Sequence, residues 1–172
     1  MDFKTFLNHV LTDTKVKLTE AFDRNFERKG FFGNGWPETK IPNRRGSLMM
    51  RTGTLRRSIR STVEGSSVRW TSSVPYADLH NNGGELVITE KMKRYFWAMY
   101  YKVSGAAKGR KGSAQKAFSV EAEQWKALAL KKVGDKLKIP KRQFIGDHPE
   151  VKRMVDDIVN FNMKELLNSI HQ

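Results

Sequence analysis

The chain has 172 residues, 38 % of them hydrophobic and 29 % charged, with no cysteine and a formal net charge of +14. That length suits one domain with a sizeable core, and the balance excludes a disordered chain. The missing cysteines exclude disulfides, thiolate catalysis and Cys-ligated zinc, and no apolar run approaches the ~20 residues of a membrane helix.

The N-terminus, MDFKTFLNHV, has an early acid and no long apolar run, which reads as no signal peptide and fits synthesis in a cytoplasm. From Phe3 to about residue 29, Phe3, Phe6, Leu7, Val10, Leu11, Leu18, Phe22 and Phe26 recur at three- and four-residue steps, the period of an amphipathic helix. Gly30 reads as its stop. Residues 30–51 are punctuated by Gly, Asn and Pro and read as a loop anchored on the core by Phe31, Phe32 and Trp36. Thr54–Ser58 reads as a short helical turn. Ile59, Ser61 and Val63 alternate, Glu64-Gly65-Ser66-Ser67 turns, and Val68 and Trp70 alternate again, which predicts a β-hairpin.

PYADLHNNGG, residues 75–84, predicts a helical turn, and Glu85–Ile88 a short strand. Thr89 caps a helix to about Val103 that is apolar nearly all round, with Met92, Tyr95, Phe96, Trp97, Met99, Tyr100 and Tyr101; such a helix is buried or docked. Ser104–Lys116 reads as a flexible basic loop, Phe118–Val133 as a helix and Lys136–Ile139 as a strand. Asp147 and Glu150, with Pro149 between them, spell a capping box for a last helix whose apolar face is Val151, Val155, Ile158, Phe161/Asn162, Leu166 and Ile170. There are no internal repeats and no clear boundary, so residues 1–172 read as a single domain. The fold class is α+β: a small, mainly antiparallel sheet packed by the long N-terminal and C-terminal helices, with two further helices between residues 89 and 134.

No constellation of catalytic or metal-ligating residues stands out. His9, His80, His148 and His171 lack partners at ligand spacing, and no phosphate loop, dinucleotide fingerprint or nucleophile elbow is present. His80 is the most site-like histidine, though a lone histidine is more often structural. We therefore expect a non-enzyme without cofactor or metal. Residues 38–60 carry +6 and residues 91–142 carry +12, so two basic blocks hold the charge. They point to an anionic partner and carry no information about fold. Charge alone would bind phosphates at low salt, and neither a zinc finger nor an RNP motif accompanies it.

Three segments occur in order: LMMRTGTLRRSIR (48–60), VPYADLHNNGG (74–84) and IPKRQFIGDHPEV (139–151). Together they resemble the phage virion morphogenesis family, the tail completion proteins of tailed phages. The matching positions are Leu48, Thr52, Gly53, Leu55, Ser58 and Ile59; then Tyr76, Ala77, His80 and Gly83; then Ile139, Pro140, Arg142, Phe144, Ile145 and Gly146. Gln143 stands where the family usually has a second proline, and Asn82 where it often has an aromatic residue.

The resemblance implies a structural virion protein at the head-proximal end of the tail, needed to join head and tail and acting in a ring, commonly sixfold, around the DNA path. Its partners would be the tail tube or terminator ring and the head-side connector ring, with non-specific contact to genomic DNA and no membrane. Arg56, Arg57, Tyr76, His80, Tyr95, Trp97, Tyr101, Arg142 and Phe144 are the candidate subunit or partner contacts. Arg44, Arg45, Lys108, Arg110 and Lys111 are candidates to meet DNA or an acidic partner. The alternatives are a tail terminator or head-side connector and, in another class, a basic nucleic-acid-binding protein without a virion role.

Overall fold

A computed structural model describes residues 2–39 and 48–170. The expected α+β class is what the chain adopts. Its described residues fall into two units: residues 2–37, 48–82 and 141–170 in the first, and residues 38–39 and 83–140 in the second.

The first unit is built on helix α1, Phe3–Arg28. Asp2 caps it by accepting the Thr5 N–H at 2.7 Å, satisfying one of the donors that open every helix. Gly30 is not what stops it. Lys29 takes the left-handed conformation at φ 52° and returns its N–H to the Asn25 carbonyl. Gly30 serves close approach instead: a Cβ there would lie 2.7 Å from the Asn34 carbonyl oxygen. That approach lets β1 (Gly30–Phe31) pair antiparallel with β2 (Asn34–Gly35) inside the predicted loop.

Helix α2 (Thr54–Ser58) follows, then the predicted hairpin, β3 (Ile59–Glu64) against β4 (Ser67–Ser72), with Ile59 opposite Ser72 and Glu64 opposite Ser67. Trp70 leans from β4 onto α1, its Nε1–H donating to Thr19 Oγ1 at 2.9 Å and its ring edge-on to Phe22 at 5.3 Å. Helix α3 is Ala77–Asn82.

The last helix of this unit, α6 (Pro149–Ile170), packs along α1 through Phe6, Val10, Ile158, Val159 and Leu166. Near its start, Val151, Met154 and Val155 reach Leu18, Phe22 and Phe31. The expected capping box does not form as written. His148 rather than Asp147 caps this end, its Nδ1 accepting the Glu150 N–H at 3.1 Å, and Glu150 pairs with Arg153 at 2.6 Å. Phe161 and Ile170, assigned to the apolar face by periodicity, are 57 % and 63 % exposed.

In the second unit, β5 (Gly84–Val87) and β6 (Lys136–Ile139) form an antiparallel ladder, with Gly84 opposite Ile139 and Val87 opposite Lys136. Between them run α4 (Glu90–Lys108), capped by Thr89 onto the Met92 N–H at 3.2 Å, and α5 (Gly112–Ala129). They form a helical hairpin zipped by Phe96, Val103, Ala122, Trp125 and Ala129. The expected flexible loop over 104–116 is helical except at Gly109, Arg110 and Lys111, and α5 ends at Ala129, short of the expected Val133. Alanine-rich sequence on both sides of that turn (Gly105-Ala106-Ala107 and Ala114) lets buried Ala107 carry α4 onward.

Candidate functional site

The three motif segments meet in one place. Leu55 of the first, Ala77 of the second and Phe144 of the third share a core with Phe26 of α1 and Trp36, each at most 8 % exposed. The Phe26 ring lies 5.1 Å from Phe144 and is edge-on to Trp36 at 5.6 Å. Such pairs add to area burial because ring edges and faces carry opposite partial charge.

The third segment has no secondary structure of its own between β6 and α6, so its backbone groups need partners elsewhere. They find them on α1, α3 and the loop after β2. Arg142 N–H donates to the His80 carbonyl at 2.8 Å. The Gln143 carbonyl accepts Trp36 Nε1–H at 2.6 Å. Asn81 Oδ1 accepts both the Phe144 and Ile145 N–H groups, at 2.9 and 3.1 Å. The Phe144 carbonyl accepts Asn25 Nδ2–H at 3.2 Å. The segment is thus a strap held from two sides.

This placement sorts the sequence-stated candidates. Phe144 and Arg142 are 2 % and 7 % exposed. They lie inside the fold as anchors, and Arg142 Nε donates to the Pro37 carbonyl at 2.9 Å. Arg56 is turned inward on α1, where it pairs with Asp23 and, at 2.7 Å, with Glu27; these partners raise its pKa. Arg57 is exposed and closes the turn before it, donating to the Thr52 carbonyl at 2.8 Å. Tyr76 is exposed, with its ring edge-on to half-buried His80 at 5.8 Å. Burial, and then the positive charge of Arg142, lower the His80 pKa, which favours the neutral ring; its Nδ1 is buried without a hydrogen-bond partner among the described residues. His80, through its carbonyl, and Tyr76, through the His80 ring, therefore lie beside the strap, and Arg57 is exposed on its own turn.

On the hairpin of the second unit, Tyr95 and Tyr101 are 55 % and 65 % exposed, and Trp97 stacks on Tyr101 at 5.9 Å. The apolar girth read from the sequence is therefore only partly buried, through Phe96 and Val103. Lys108, Arg110 and Lys111 are exposed at the turn. Arg44 and Arg45, like His171, lie outside the described residues.

Asn25 and Asn81, which hold the strap, are not signalled by any motif. Asn25 sits mid-turn on the helix between Phe22 and Phe26, where a polar residue on an apolar face was the available sign. Among the described residues no group of three His, Asp or Glu is placed to hold a metal ion, and no helix is long and apolar enough to cross a membrane. The site offers apolar, aromatic and cationic contact surface, the chemistry of assembly.

A search of curated proteins and one of solved structures gave no significant match. A family model does match, over residues 8–164, and those residues include all three motif segments and most of both units. The chain belongs to the phage virion morphogenesis family, so its role is in building the phage virion together with other phage structural proteins.

Proposed function

We propose that this chain is a tail completion protein that joins head to tail. In this reading its two units act as one subunit of a ring, sixfold in the commonest arrangement, at the head-proximal end of the tail. The observation that carries it is the convergence of the three motif segments on one core, which supports a rigid body presenting Tyr76 and His80 beside the strap and Arg57 on the turn of the first segment. Rigid elements holding exposed aromatic and arginine side chains suit a recurring interface, because little conformational entropy is lost on docking. Tyr95, Trp97 and Tyr101 on α4 form the second candidate contact surface. Its work is interface formation and involves no bond chemistry.

Electron microscopy of lysates from a phage with this gene disrupted tests the reading. Filled heads and separate, unjoined tails are expected. Normal infectious particles would overturn it.

A further inference from the structure

The α4–α5 hairpin carries a second message in its charges. From Lys91 to Val120 the sequence holds eight basic residues and no acid: Lys91, Lys93, Arg94, Lys102, Lys108, Arg110, Lys111 and Lys116. Seven of these eight are exposed and Lys93 is half-buried. None of them forms a salt bridge among the described residues, whereas Lys126 and Lys136, just outside the run, do, with Glu123 and Glu85. The six acids of the same unit, Glu38, Glu85, Glu90, Glu121, Glu123 and Asp135, all lie outside the run. Arg110 is held at the turn with its guanidinium 4.3 Å from the centre of the Phe118 ring.

We infer that this arm binds the phosphate backbone of duplex DNA without regard to sequence. Its 19-residue helix α4 is about 28 Å long, the length of about eight phosphates along one strand. Six of the eight cations are lysines. Lysine is depleted in protein–protein interfaces and serves well as a point charge on phosphate, so the composition favours nucleic acid over an acidic protein face. Half-buried Trp97 and Tyr100 pack with Tyr101 at 5.2–5.9 Å, which occupies part of these rings as base-stacking platforms. This favours the backbone of a duplex over unstacked single strands. The inference rests on the joining reading only for the source of the DNA, the genome passing the ring.

Fluorescence anisotropy of a labelled mixed-sequence duplex of about 30 base pairs, titrated with the full chain between about 50 and 200 mM salt, provides the test. A quadruple variant, Lys102→Gln, Lys108→Gln, Lys111→Gln and Lys116→Gln, removes four exposed cations and leaves the zipped core untouched. Each phosphate contact adds about 0.9 to the slope of log affinity against log salt. The variant slope is expected to fall by about 3 to 4, which shrinks the affinity lost across that salt range by about 150-fold. A matched control, Lys4→Gln, Lys131→Gln, Lys132→Gln and Lys152→Gln, is expected to change the slope by less than about 1. Circular dichroism of both variants checks that the fold is kept. Equal slopes for the two variants, or tighter binding of the single strand, would overturn the inference. So would normal DNA binding by an arm variant whose phage fails to complete particles, which would assign the arm to an acidic protein surface. Arm-dependent binding alongside normal particles from the gene-disrupted phage would keep this inference and remove only the joining reading.

Discussion

Replacing Asn25 with Ala should release the strap from α1. Asn25 is 1 % exposed, and its amide both donates to the Phe144 carbonyl and accepts the Phe32 N–H at 3.2 Å. The substitution leaves the Phe144 carbonyl unpaired in the core, at a cost of about 1–3 kcal/mol, and the Phe32 N–H unpaired at a half-buried position, at about 0.5–1.5 kcal/mol. Alanine's better helix propensity returns about 0.5 kcal/mol. The expected net loss is about 1–4 kcal/mol, or about 2–16 °C in Tm for a chain of this size. Urea unfolding followed by the fluorescence of buried Trp36 reads it directly. Asn81→Ala strips the two N–H groups on the other side of the same strap, so the two changes should not add. Once one side is free, the second loss should be smaller by about 0.5–1 kcal/mol. A loss below about 0.5 kcal/mol for Asn25→Ala, or full additivity of the pair, would refute the two-sided clamp.

Three further outcomes follow from the geometry. Lys29→Gly should stabilise the chain by up to about 1 kcal/mol, because Lys29 occupies the left-handed region, while its neighbour Gly30→Ala should destabilise it by driving a Cβ against the Asn34 carbonyl; thermal melts of both must show opposite signs. Arg56→Gln removes the pairs with Asp23 and Glu27, which are 44 % and 57 % exposed, so it should cost only about 1 kcal/mol, and the cost should shrink in high salt. His80 is held below its ordinary pKa of 6.5 by burial, so near that pH the unfolded chain binds more protons than the folded one and stability rises with pH; the contribution is present above about pH 6.5 and is lost as the pH falls below it. His80→Asn should flatten that part of the Tm-against-pH curve, and an unchanged curve would show that the ring is not the group responsible.

Much of the fold was legible because its elements are marked locally. The three- and four-residue steps from Phe3 to Phe26, the alternation across Glu64–Ser67, and Thr89 before a helical run all reappear as α1, the β3–β4 hairpin and the cap of α4. The misreadings have a common cause, which is that local signals compete with packing. Gly30 looked like a helix stop because glycine usually is one, yet the turn is closed by Lys29 and the glycine is needed for an approach of backbone to backbone. The Gly- and Lys-rich stretch after Val103 looked like a loop, yet its alanines favour a helix and Ala107 is buried, so α4 runs on to Lys108. Residues that act over long separations were invisible. Asn25 reaches Phe144 across 119 positions and Trp36 reaches Gln143 across 107, and nothing in the local pattern connects them.

The same geometry divides the motif positions themselves: Leu55, Ala77 and Phe144 sit where the motif segments cross and are buried, whereas Tyr76 is exposed. Arg142 and Phe144, singled out by sequence as partner contacts, are spent on holding the strap. A motif whose residues point into the core constrains the fold. The outward residues between the motif positions are then free to differ with the partner, as at Arg57 beside Ser58 and Leu55, because exposed substitutions cost little stability. The same holds for the hairpin between β5 and β6, which lies between the second and third segments and contributes no residue to the core they share. Recognition should therefore be sought in Arg57, Tyr76 and the α4–α5 arm, and changes there should alter assembly or DNA binding while leaving unfolding curves nearly unmoved. Changes at Phe26, Leu55 or Phe144 should do the reverse: a large-to-small substitution in that core costs about 3–5 kcal/mol at an aromatic residue, and assembly should fail only as a consequence of lost folded protein.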